Sequence, residues 1–269
     1  MTRVLPRTNF HSSQFIRCLA DLSIVDTVEP ANAFAEKLSL WIPFTDAISL
    51  SALHNDSCAS TPVMNLTAQP SAQSDACVAL NAEFTKAQTT LINSITKSFS
   101  HSSGKSHLEL PKPVLVLPME LAAAYLPYRH FYEAHQRDME MRILPLRVNV
   151  REALANASPT LKKLAELDAA FERIMRERES KLLAKVPLLL KKRFEELFKE
   201  HQQRLSDTQQ TDNPTTWIKA GGWLARFCDE LKALLLAELE LRLQTTVGLV
   251  ETLNEVVNEA PTDSNNIEK

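Results

Sequence analysis

The stretch Tyr128 to Met141 (YRHFYEAHQRDMEM) holds the densest set of side chains able to do chemistry. His130 and Glu133 are three residues apart, as are His135 and Asp138, so on a helix each pair shares a face. A carboxylate-bridged di-metal bundle needs two Glu-x-x-His motifs and two further glutamates from other helices. Here the order is reversed, His130 and His135 diverge, and no second copy occurs. Solvated or hydrogen-bonded side chains are therefore expected, with no metal and no cofactor. Tyr125, Tyr128, Phe131 and Tyr132 fall on one broad helical face. Its first reading is ordinary core, and its second is a groove for a partner helix.

Phosphate-binding and nucleophile motifs are absent: no G-x-G-x-x-G, P-loop lysine, G-x-S-x-G or H-E-x-x-H occurs. An enzyme is not expected. Nucleic acid is the stronger rival. Residues 129–204 carry 17 Lys and Arg against 12 Asp and Glu, a net of +5; the rest carries 13 against 21, a net of −8. Basic clusters stand at Lys162-Lys163, at Arg173, Arg176, Arg178 and Lys181, and at Lys191-Lys192-Arg193. Glu166, Glu172, Glu177, Glu179, Glu195 and Glu196 interleave with them, the pattern of an ion-paired helix face rather than a phosphate stripe. Lys191-Lys192-Arg193 beside Leu188–Leu190 also suits contact with an anionic membrane surface. The candidate partner-binding residues are Tyr128, Arg129, Tyr132, Arg137, Lys191, Lys192 and Arg193.

The elements that must hold these residues are helices. Only 4 glycines occur in 269 residues, too few for a Rossmann, P-loop or β-sandwich design, while Leu, Ala, Glu, Lys and Arg dominate. Residues 12–53 form a first helical block. Phe15, Ile16, Leu19, Leu22 and Ile24 supply its stripe, Glu29-Pro30 breaks it, and Phe34, Leu38 and Trp41 continue it. A last helix of this block follows Pro43. Residues 54–73 have a linker's composition, and a helix over 74–99 starts at a Ser74-Asp75 cap. Residues 100–118 are a loop with an extended piece at Val114–Leu117. Residues 119–256 form the long bundle, with Pro127 and Pro145 as kinks or boundaries. Ser158-Pro159 starts a helix that runs to about Leu205, kinked at Pro187. A last helix spans Thr215 to about Val256, and Gly221-Gly222 marks either a close backbone approach or a break. The tail 257–269 is expected to be disordered. The fold class is all-α: an elongated helical bundle with long antiparallel C-terminal helices.

Cys18, Cys58, Cys77 and Cys228 are scattered without ligand spacing, as in reduced thiols packed as small hydrophobes. The first residues lack the apolar core of a signal peptide, and Val114–Tyr128 is too short and too polar to span a membrane, so a cytoplasmic protein is expected.

Four phrases carry a resemblance. They are LADLSIVDTVEPANAFAEKLSLWIPFTDAISLSAL (19–53), YRHFYEAHQRDMEMRILPLRVNVREALANASPTLKKLAELDAAFE (128–172), VPLLLKKRFEEL (186–197) and LLLAELELRLQTTVGLVETLN (234–254). Together they resemble a bacterial, proteobacterial family of domains of unknown function, number 3348. The resemblance implies soluble proteins associated with genes for envelope proteins of the peptidoglycan-binding, OmpA-like kind, and so a cytosolic accessory of a membrane assembly. It implies no activity and no functional residue. The functional expectation is a helical interaction module, a scaffold or adaptor with protein partners, self-associating or envelope-associated. The alternative is a nucleic-acid-binding accessory that uses the basic helix over 160–204.

Overall fold

The computed structural model describes residues 13–22, 40–55, 70–100, 108–112, 120–209 and 211–259. Among them every regular element is a helix, and the chain is an all-α bundle. The helices are α1 (Gln14–Asp21), α2 (Phe44–Asn55), α3 (Pro70–Ser98), α4 (Leu121–Ala157), α5 (Pro159–Leu183), α6 (Val186–Thr208) and α7 (Trp223–Glu259). A single 3-10 turn, Pro214–Thr216, precedes α7.

Several boundaries differ from the sequence reading. The helix α3 begins at Pro70, so Ser74 and Asp75 lie inside it rather than capping it. Residues 54–55 and 70–73 of the expected linker are helical, and 56–69 lie outside the described residues. The break at Glu29-Pro30 and the stripe residues Ile24, Phe34 and Leu38 lie outside them too, as do the extended piece at Val114–Leu117 and Cys58. The helix α7 runs to Glu259, three residues into the expected tail.

Prolines act by position. Pro127 and Pro145 end nothing, because α4 continues through both. Each removes one backbone hydrogen bond and crowds the preceding turn, a cost of about 3 kcal/mol in an isolated helix. Buried Tyr125 and Tyr128 anchor the chain on either side of the first, and Ile143 and Leu146 on either side of the second. Ser158 caps α5 as read: its Oγ accepts from the Leu161 N–H at 3.1 Å, with Pro159 at the first helical position. The helix expected to continue to Leu205 breaks instead at Ala184-Lys185, and Pro187 sits in the first turn of α6. Having no N–H, Pro187 leaves the Leu183 carbonyl without its helical donor, and Gln136 Nε2 donates to it at 3.3 Å. Gly221 (φ 84°) and Gly222 form the turn before α7, so the break is the correct alternative there. A Cβ on Gly222 would stand 2.2 Å from the Trp217 carbonyl oxygen.

The chain divides into two compact units. One comprises residues 1–37, 89–141 and 178–242. In it α6 and α7 run antiparallel: Phe194 meets Phe227 and Phe198 meets Trp223, with ring centroids 5.0 and 5.3 Å apart. Leu231, Leu234, Leu235 and Leu239 of α7 are buried on more than one face, as a helix with several neighbours requires. The other unit comprises residues 38–88, 142–177 and 243–269. Its core joins Cys77 and Leu80 of α3, Val150 and Leu154 of α4, Leu161 and Ala165 of α5, and Leu249, Val250 and Leu253 of α7.

Candidate functional site

The helical spacing of α4 sorts the residues of 121–141 into two faces. Tyr125, Tyr128, Tyr132, His135 and Met139 point inward and are buried. Leu126, His130, Arg137 and Met141 recur four, seven and four residues apart on the outside, and all are exposed. The two ends of this stripe are apolar, with Leu126 46% and Met141 68% exposed.

The tyrosines therefore correct one expectation: Tyr128 and Tyr132 are core, not partner-binding residues. The Tyr128 ring packs on Phe194 and Phe227, with centroids 5.8 and 5.6 Å away. Burial pushes its phenol well above the ordinary range. The Tyr132 hydroxyl donates to Glu238 Oε2 at 2.5 Å, and burial followed by the nearby carboxylate raises its pKa. Glu238 is fully buried. Gln136 Nε2 donates to both its oxygens (3.0 and 3.1 Å), and Arg242 Nε donates to Oε1 at 2.9 Å. The carboxylate is thus held by an amide, a phenol and a guanidinium, and its charge is compensated on the spot. Sequence reasoning passed over this network, although an acid inside the leucine-rich run LLLAELEL was its signal.

Arg193 is the second correction. It is buried, its Nε and Nη2 each donating to a carboxylate oxygen of Glu230 at 2.9 Å, with Glu196 3.6 Å away. A fork bound in this bidentate way is not offered to a partner. Lys191 pairs with Glu195 at 3.8 Å, and Arg129 with Glu133 at 2.7 Å. Arg137 and Lys192 are exposed. The seven predicted residues thus do not form one site: three are interior, and the other four lie on the outsides of α4 and α6.

The histidines of the metal reading also separate. His130 is exposed, whereas His135 is buried, 3.1 Å from Ser98 Oγ through Nε2 and edge-on to Phe131. Ser98 Oγ spends its single proton on the Ile95 carbonyl (2.7 Å), so His135 Nε2 must carry the hydrogen it shares with that oxygen. Burial lowers the imidazole pKa to about 4, against a smaller upward pull from Asp138. Among the described residues no three His, Cys, Asp or Glu stand together as metal ligands. Cys18, Cys77 and Cys228 are free thiols, and burial pushes Cys228 up to about 12.

Two further polar groups were not read from the sequence. Arg147 and Arg151 clamp Asp168, with Nε–oxygen distances of 2.9 and 2.7 Å, and Arg151 also pairs with Glu172. Burial alone would raise the Asp168 carboxyl, but the hydrogen bonds and charges of the two arginines outweigh it and hold it low. In the loop before α7, Asp212 Oδ1 lies 3.0 Å from His201 Nε2 and accepts from Trp217 Nε1 at 2.8 Å. The first group ties α4 to α5, and the second ties α6 to the turn before α7.

No helix among the described residues is long and apolar enough to cross a membrane. No match is found among curated proteins or among solved structures. A family model described as "Protein of unknown function (DUF3348)" matches residues 1–255. With nearly its whole length matched, the chain belongs to the DUF3348 family.

Proposed function

We propose that this chain is a non-enzymatic, cytoplasmic interaction module, a scaffold or adaptor that engages a protein partner through the outward face of α4. The observation that carries the reading is the exposed stripe Leu126, His130, Arg137 and Met141, with an apolar residue at each end and charge capacity between. Spacing of this kind suits a partner helix lying alongside, its apolar anchors meeting Leu126 and Met141 and its carboxylates meeting Arg137. The pairing of Lys191 and Arg193 with glutamates supports a protein partner over nucleic acid.

The test is capture from the native cell with wild type and with Leu126→Asp/Met141→Asp. Both positions are exposed, so the variant keeps its helicity. A partner identified by mass spectrometry on the wild type and lost on the variant supports the reading. Light scattering shows whether that partner is a second copy of the chain. Equal capture by both proteins overturns the α4 face as the site. Tight, salt-dependent binding to duplex DNA would favour the nucleic-acid alternative instead.

A further inference from the structure

The corner where α5 gives way to α6 has an asymmetry that the partner face on α4 does not explain. From Ser180 to Phe194 the chain carries five cations and no carboxylate. Inside the corner, Leu183, Val186, Pro187 and Leu190 are buried. Two side chains from α4 pin the backbone there: the Tyr125 hydroxyl donates to the Pro187 carbonyl, and Gln136 donates to that of Leu183. The corner is therefore held in shape at two points: Gln136 replaces the donor that Pro187 cannot supply to the Leu183 carbonyl, and Tyr125 adds a bond to the carbonyl of Pro187 itself.

The outside of the same corner is exposed Lys181, Leu182, Ala184, Lys185, Leu188 and Lys192. Leu182 and Leu188 are 52% and 54% exposed. Arg193 and Lys191 are occupied by Glu230 and Glu195. Lys185, whose backbone is already helical where it leads into α6, is followed by Leu188 and Lys192 at spacings of three and four, so the three line one face. Lysines can meet the phosphates of a nucleic acid or of a lipid headgroup, but the exposed leucines between them have no counterpart on a nucleic-acid backbone. Leucines framed by flexible lysines instead match a surface that is apolar below and anionic above.

We propose that the α5–α6 corner docks reversibly on an anionic lipid bilayer, Leu182 and Leu188 entering the acyl boundary while Lys185 and Lys192 pair with headgroup phosphates. The bilayer here is a surface, not a solvent for a span. Buried Leu183, Val186 and Leu190 stay in the protein core, and the docked depth is that of two side chains.

The experiment is co-sedimentation of the full chain with vesicles of mixed phosphatidylglycerol and phosphatidylcholine, and with phosphatidylcholine alone. Wild type is expected to sediment with the anionic vesicles, less so as salt rises, and not with the neutral ones. Lys185→Glu/Lys192→Glu should weaken binding by roughly tenfold or more. Leu182→Ser/Leu188→Ser should weaken it several-fold at unchanged net charge. Arg173→Glu/Arg176→Glu, the same charge change at exposed positions on α5, should leave it intact. All six positions are exposed, and circular dichroism checks that helicity is kept. The proposal is overturned if wild type ignores anionic vesicles, if the leucine variant binds like wild type, or if the Arg173/Arg176 variant loses as much as the lysine variant. Duplex DNA that binds through Lys185 and Lys192 but is indifferent to the leucines would overturn it as well.

Discussion

His135 shows how one buried side chain makes stability depend on pH. Its folded pKa of about 4 lies below the ordinary 6.5. Between these values the unfolded chain binds a proton that the folded chain excludes, so this contribution is complete above pH 6.5 and is lost as pH falls toward 4. Urea midpoints of wild type should therefore drop more steeply from pH 6.5 to 4.5 than those of His135→Leu. Equal slopes would mean that His135 titrates normally. Glu238 makes the complementary case. Glu238→Leu should destabilise by roughly 3 kcal/mol in denaturant melts, because it strips Arg242 and Tyr132 of their acceptor. Glu238→Leu/Arg242→Leu should recover part of that loss, since a well-packed apolar pair can replace a buried ionic one. At this scale the sequence is partly legible. The Ser158 cap could be read because a hydroxyl before a proline has few other uses. Tyr128 could not be assigned, since a tyrosine at helical spacing serves a core and an interface equally well, and burial separates the two.

Helix interiors were readable from apolar spacing, whereas their ends were set by neighbours. The break at Ala184-Lys185 rests on the Leu183 carbonyl, which Gln136 of α4 satisfies and which no window around Pro187 reveals. The same proline chemistry inside α4 breaks nothing, because buried residues on both sides of Pro127 and Pro145 hold that helix. Glycines give a test at this scale. Gly248 is helical, exposed and clear of neighbours within 4 Å, so Gly248→Ala should raise stability by about 0.5–1 kcal/mol. Gly222→Ala should lower it, because the new methyl meets the Trp217 and Thr216 carbonyls at 2.2 and 2.4 Å. Thermal melts of the two variants should move in opposite directions, and parallel shifts would contradict the geometry of this turn.

For the whole molecule, scarcity of glycine and helical periodicity were enough to read an all-α bundle, because composition limits the backbone types a chain can build. What they could not supply was the division into two compact units, since α3, α4, α5 and α7 each contribute residues to both. The central place of residues 223–242 of α7 in the first unit carries a global prediction. Leu235 is fully buried, and Leu235→Glu places an unpaired charge in that core. The variant should lose cooperative unfolding or fail to fold by circular dichroism; a wild-type melt would mean that Leu235 faces water. The α6–α7 turn has an optical consequence. Of the 3 tryptophans in the chain, Trp217 and Trp223 are buried with ring centroids 5.5 Å apart, and the His201 imidazole lies beside both. Two buried indoles fixed this close in an asymmetric setting should give the folded chain a pronounced near-ultraviolet circular dichroism signal and blue-shifted emission. Loosening of the Asp212 clasp would dim that signal before the far-ultraviolet helix spectrum changes, which makes the chain its own reporter for the tightness of this one turn.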